Sequence, residues 1–207
     1  RERNEAQRRE GRDRLVRELR DPAVGHLRRS RGLDVASADY VEALLAFYEG
    51  RNADALRLAK SAYSKVPWLF EARLLEGEVH AAVGREHRNA GRLAAAAAAY
   101  SQADAALREA ARIAESDVRT HNALCSVGYE RLYLEVWVRG EWDEDTLERA
   151  VADCTAACEV NRESARAFLN LGMVLETQVE HLGSRGQDST AVIGRALVAP
   201  TDQCLLP

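Results

Sequence analysis

Residues 139–151 read Arg-Gly-Glu-Trp-Asp-Glu-Asp-Thr-Leu-Glu-Arg-Ala-Val, and their outline returns at 185–197. Arg139-Gly140-Glu141 becomes Arg185-Gly186-Gln187, while Leu147, Arg149, Ala150 and Val151 become Ile193, Arg195, Ala196 and Leu197, all at an offset of 46 residues. In the preceding helix, Ala123 and Gly128 return as Ala167 and Gly172 at an offset of 44. Towards the N-terminus, Ala150 maps onto Ala103 and then Ala55, at offsets of 47 and 48, and Ala157 maps onto Ala110 and Ala62 in the same two steps. A small residue is therefore required twice, one heptad apart, in every second helix. Close approach of two helices demands this, because a larger side chain pushes the pair apart. A fixed period of helix pairs implies an α-solenoid.

The rest of the chain agrees with an all-α reading. Ala, Leu, Arg and Glu dominate the 207 residues, and all four are good helix formers. Apolar residues make up 46% and charged residues 30%, which excludes a disordered chain. No stretch alternates in the manner of a strand. About ten helices are expected. Residues 1–20 form a polar helix, and Asp21-Pro22 ends it and starts another. Ser37-Ala38-Asp39 precedes the apolar stripe Tyr40, Ala43, Leu44 and Phe47, Asp117 is an N-cap candidate, Asp143 and Asp145 compete for another cap, and Glu163-Ser164 opens a further helix. Gly50 and Gly140 close helices, and Pro67 stops another. The division expected is a basic N-terminal segment at 1–35, a repeat array at 36–199 and a tail at 200–207. The chain begins at Arg1 and reads as a piece of a longer protein.

One helix carries a more specific signal. Ala165-Arg166-Ala167-Phe168-Leu169-Asn170-Leu171-Gly172 resembles the first helix of a tetratricopeptide repeat (TPR), with its aromatic residue, Leu-Gly pair and small residue. Gly50, Ala55, Ala62 and Pro67 match the turn and second helix of that repeat. The usual period is ~34 residues, so the repeats here are elongated. Residues 139–150 also resemble the elongated repeats that follow serine/threonine kinase domains in some bacteria. The resemblance implies antiparallel helix pairs in a right-handed superhelix that binds protein or peptide. A HEAT-like array, with its period of ~40–47, is the alternative fold.

No catalytic grouping is visible. Phosphate-binding glycine loops and kinase catalytic signatures are absent, so no enzyme activity and no cofactor are expected of this chain. Gly183-Ser184-Arg185-Gly186 reads as a helix end and turn. Cys154 and Cys158 lie one turn apart, and with Cys125 or His121 they have the elements of a soft metal site. Because Cys154 occupies a small-residue packing position, we expect buried thiols, no metal and no Cys154–Cys158 bridge. Four cysteines in a chain of this size also fit a reduced, cytoplasmic setting. The five histidines are expected at the surface or in loops.

Charge is uneven. Residues 1–31 hold 11 Arg and six acidic residues, whereas the whole chain carries a net charge of −4. Pairs such as Arg14/Glu18 and Arg17/Asp21 point to a solvated, salt-bridged helix. Nucleic-acid binding is not expected, because no aromatic platform accompanies the charge. No apolar run approaches the ~18 residues that a membrane span needs.

The surface expected to carry function is the inner side of the first helices. Arg166, Leu169, Asn170, Met173 and Thr177 are expected to line it in the last pair, and Asn122, Tyr129 and Tyr133 one pair earlier. Asn and Arg suit hydrogen bonds to a peptide, while Tyr and Met give adaptable apolar contacts. The function expected is a protein-interaction module in a larger signalling protein such as a bacterial serine/threonine kinase. The alternatives are an oligomerisation scaffold that pairs with another copy, or the helical sensor region of a transcription regulator.

Overall fold

The computed structural model describes residues 2–30 and 37–198. Within them the chain is helical throughout and contains no strand. The expected boundary at 35/36 and the tail at 200–207 lie outside the described residues. Contacts group the chain into two units, Arg1–Leu75 and Glu76–Pro207, which meet inside one helix.

The first unit begins with α1 (Glu2–Leu15), a π-helical turn (Val16–Arg20) and α2 (Asp21–Ser30). As expected, a new helix starts at Asp21 with Pro22 in its first turn, but the π-helical turn leads into it with helical backbone and no break. Arg14 pairs with Glu18 at 3.0 Å, but Asp21 pairs with its neighbour Arg20 rather than with Arg17. Residues 7–15 are exposed, and packing begins at Val24, which is buried with Val41 and Leu45.

Helix α3 (Ala38–Tyr48) starts where Ser37 accepts a hydrogen bond from the Tyr40 amide, and it ends at Gly50, whose φ is +77°. Helix α4 (Asn52–Lys65) returns beside it. Lys65 and Ser61, at the end of α4, both donate to Asp39 Oδ2 at 2.6 Å, at the start of α3. These bonds, that to Lys65 foremost, hold the Asp39 carboxyl below its ordinary range. Ala55 and Ala62 are fully buried, and Ala62 packs with Leu69 and Ala72.

Helix α5 (Phe70–Asn89) crosses from the first unit into the second. The second unit continues with α6 (Leu93–Ile113), α7 (Val118–Tyr133), a π-helical turn (Leu134–Arg139), α8 (Glu144–Val160), α9 (Ala165–Ser184) and α10 (Thr190–Val198). Caps fall where the sequence places them. Asp117 accepts from the Thr120 amide and Ser164 from the Ala167 amide, while Gly140 ends the π turn in the left-handed region at φ +73°. Asp143, rather than Asp145, takes the N-cap position of α8, and its carboxylate binds the Thr146 hydroxyl.

Helices α5 and α6 are antiparallel and very close. A Cβ on Gly77 would lie 2.5 Å from Leu107, and one on Gly84 would lie 2.6 Å from the Tyr100 ring. Helices α7 and α8 repeat the arrangement. A Cβ on Gly128 would lie 3.2 Å from the Ala150 Cα, which is backbone and has nowhere to move. Ala103, Ala110, Ala150 and Ala157 are all buried, as the repeat register requires. Helix α9 runs parallel to α7: Asn122 meets Ser164 and Ser126 meets Asn170, at offsets of 42 and 44 residues.

The cysteines correct one expectation. Cys125 on α7 and Cys154 on α8 form a disulfide, with Cα atoms 4.4 Å apart. Both are buried in the core that also holds Leu132, Leu147, Leu171 and Val174. The small-residue crossing at Gly128 and Ala150 brings the two backbones within reach. The expected buried thiols are thus joined at Cys125 and Cys154, while no bridge links Cys154 to Cys158. Cys158 is buried and takes no part in the bridge.

Two outcomes follow. Ala150→Leu places three more carbons against the Gly128 backbone and destabilises the second unit by ~1–3 kcal/mol, read as a lower melting temperature. Closing a loop of 29 residues, the disulfide contributes about 3–4 kcal/mol. A non-reducing peptide map should show Cys125 joined to Cys154, and Cys154→Ser should lower the melting temperature to that of the reduced wild type.

Candidate functional site

The eight residues expected on the inner face separate into two groups. Asn122, Asn170 and Thr177 are engaged between helices. The Ser164 hydroxyl donates to Asn122 Oδ1 at 2.9 Å, and Asn170 Nδ2 donates to Ser126 Oγ at 3.0 Å. Ser126 in turn donates to the Asn122 carbonyl at 2.8 Å, which closes a polar seam between α7 and α9. Thr177 is buried, and its hydroxyl donates to the Met173 carbonyl at 2.9 Å and accepts from Trp137 Nε1 at 3.5 Å. Asn170 is 7% exposed. The groove-facing expectation for Asn170 and Thr177 is therefore corrected. Their polar atoms are held by the parallel neighbour, whose flank the one-dimensional repeat register does not reveal.

The other five present atoms to solvent. Arg166 and Leu169 are exposed, Leu169 by 63%, and Met173 is half-buried further along α9. Tyr129 and Tyr133 are half-buried on α7, with ring centroids 6.1 Å apart and planes tilted by 48°. Trp137, which the sequence reading did not single out, extends this row. It is 52% exposed although its indole N–H is tied to Thr177. The π turn that carries Trp137 adds a residue to the helix and changes the direction in which the following side chains project. No helical wheel drawn at 3.6 residues per turn anticipates that change.

A charged network fixes the row from below. Tyr100, fully buried under Gly84, donates to Glu130 Oε2 at 3.3 Å. Burial, with the Glu130 charge second, pushes its phenol up to about 12. Arg88 from α5 forms an ion pair with Glu130, and its guanidinium lies 5.3 Å from the centre of the Tyr133 ring. The Tyr129 phenol is also raised, first by burial and then by Glu130 and Tyr133. A second network ties three helices: Arg108 on α6 binds Asp153 on α8 at 2.8 Å and Asp104 at 3.0 Å, and Asp104 lies 3.8 Å from Arg131 on α7. Burial outweighs Arg108 and raises the Asp153 carboxyl.

The histidines depart in part from the surface expectation. His80 is buried on α5 with Glu76 one turn before it, and His181 stacks on Trp142 at 3.4 Å. Their neighbours along the helix did not indicate that adjacent elements would cover them. Among the described residues no group of three or more His, Cys, Asp and Glu is placed to hold a metal. No described helix is long and apolar enough to cross a membrane.

No known protein family matches the sequence, and no characterised protein matches it closely enough to count as a relative.

The division between engaged and exposed residues has a measurable consequence. Asn170→Ala removes a buried hydrogen bond and costs about 1 kcal/mol, whereas Arg166→Ala changes stability by less than ~0.5 kcal/mol. Chemical denaturation of the two variants separates these values.

Proposed function

We propose that this chain is a non-catalytic protein-interaction module, built as elongated TPR-like helix pairs, in which α7 and α9 carry the docking face. One observation carries the reading. Two parallel helices, tied by the Asn122, Ser126, Ser164 and Asn170 seam, present Tyr129, Tyr133, Trp137, Leu169 and Met173 to solvent. Aromatic and Met side chains give large contact area with adaptable geometry. Leu169 and Trp137 are exposed although Leu171, Val174 and Leu132 of the same helices are buried in the core. The right-handed superhelical stacking of the pairs is part of this proposal, as is a place in a larger signalling protein such as a serine/threonine kinase. A cytoplasmic chain would carry Cys125 and Cys154 as thiols, so their oxidation state in cells bears directly on the compartment.

Selection from a random twelve-residue display library tests the reading. Peptides that bind the wild type should lose at least about tenfold in affinity, ~1.4 kcal/mol, on Leu169→Glu or Trp137→Ala, with the melting temperature unchanged. Selected peptides indifferent to both variants would place binding elsewhere.

One observation favours a scaffold as the second reading. Leu15 and Leu19 in the N-terminal rod are 58% and 63% exposed on a helix that is polar elsewhere. In a scaffold they would pair with a second copy. Light scattering would then report a dimer that Leu15→Ser with Leu19→Ser dissociates.

A further inference from the structure

We infer that the α7–α9 face takes a cationic side chain, lysine or arginine from a basic segment of a partner protein, between Tyr129, Tyr133 and Glu176. The inference rests on the reading of this face as a docking surface and adds the chemistry of what docks.

Three observations lead to it. First, the cluster already holds one cation. The Arg88 guanidinium sits 5.3 Å from the Tyr133 ring centre, within the ~6 Å over which a ring quadrupole attracts a cation. That charge is spent, because Arg88 is paired with Glu130 and both side chains are mostly buried. Second, Tyr129 stands beside Tyr133, one helical turn away, and supplies a second ring at 6.1 Å. Third, the neighbouring carboxylates are uncompensated. Glu176 and Glu180 are exposed on α9, one turn apart, and among the described residues neither has an ion pair.

Glu176 is exposed beside Thr177, which meets Trp137 of the aromatic row, so it stands on the part of α9 that adjoins that row. Its charge contributes to holding the Tyr129 phenol proton on, behind burial, Glu130 and Tyr133 and against Arg88. An incoming cation therefore meets two aromatic rings and a carboxylate, the combination that recognises ammonium and guanidinium groups. An acidic segment would meet Glu176 and Glu180 as like charges, at a cost that sets specificity. Arg166 lies ten residues before Glu176, about 15 Å along the helix, too far to neutralise it. Trp137, one turn beyond Tyr133, gives an apolar neighbour for the side chain next to the cation.

Fluorescence anisotropy on the full chain tests this, with a labelled nonapeptide of alternating lysine and leucine and its counterpart of alternating glutamate and leucine. The lysine peptide should bind at least about tenfold more tightly than the glutamate peptide. E176Q should weaken it about five- to twentyfold, as expected for loss of one charge-assisted contact. E159Q, which removes an exposed carboxylate on α8, should leave binding unchanged. Melting temperatures of both variants should match the wild type, since both groups are exposed. Equal affinity for the two peptides, or equal weakening by E176Q and E159Q, would overturn the cation site while leaving the docking face standing. Binding of neither peptide would remove both.

Discussion

The second unit depends on helices that approach each other more closely than ordinary side chains allow. Gly128 has only hydrogen atoms to offer where Ala150 passes, and a Cβ there would lie 3.2 Å from the Ala150 Cα. Gly77 and Gly84 play the same part on α5 against Leu107, Ala103 and Tyr100. At that separation, dispersion contacts run along the whole pair, and few apolar side chains are needed to fill the space. This accounts for a core that is rich in alanine and yet fully buried at Ala96, Ala103, Ala110, Ala150 and Ala157. It also accounts for the disulfide. Cys125 and Cys154 lie next to the Gly128–Ala150 crossing, and only a crossing this close brings their Cα atoms to 4.4 Å.

Much of the fold was legible because close packing leaves a one-letter trace. The positions 55, 62, 103, 110, 150 and 157 are alanine at fixed offsets, and every one is buried. Cap chemistry is equally local, so Asp117 and Ser164 could be placed from sequence, as could Gly50 and Gly140 at helix ends. What depends on a neighbour in space was less legible. The register indicates which side of α9 faces away from α8, but not that α7 covers part of that side and takes up Asn170 and Thr177. The π turn at 134–139 is hidden for another reason. Its Leu-Glu-Val-Trp-Val-Arg sequence suits an α-helix as well, and only packing selects the wider turn. Asp21-Pro22 marked the start of α2 correctly, but not the π-helical turn that joins it to α1.

Between the apolar crossing and the exposed face lies a layer of charged groups, part-buried at Arg88 and Glu130 and open to solvent at Arg108. Glu130 binds Tyr100 from α6 and Arg88 from α5, so one carboxylate on α7 addresses both earlier helices of its unit. Arg108 does the corresponding work from α6, reaching Asp153 on α8 with both oxygens bonded at 3.1 and 2.8 Å. Pairs of this kind contribute little net stability, because desolvation offsets the attraction where they are covered and solvent screens it where they are open. Their effect here is to penalise every wrong register. An alanine stripe slides easily, since one turn of small residues looks like the next, whereas Glu130 displaced by a turn would leave Arg88 and the Tyr100 hydroxyl without their partner. The apolar crossing sets the distance between helices, and the charged layer sets their axial position.

The same layer determines which side chains remain exposed. With Glu130 bonded to Tyr100 and Arg88, the neighbouring Tyr129 and Tyr133 stay half-buried at the solvent edge of α7. Arg88 covers Tyr133 without carrying net charge outward, because Glu130 neutralises it. On α9, Glu176 and Glu180 are exposed and have no ion pair among the described residues. Their position follows from the parallel alignment of α7 and α9, which the Asn122–Ser164 and Ser126–Asn170 bonds fix. The 44-residue offset of the Ser126–Asn170 bond sets Tyr129 level with Met173 and Tyr133 level with Thr177, next to Glu176. The inter-helix asparagines thus act on the chemistry of the exposed face without belonging to it.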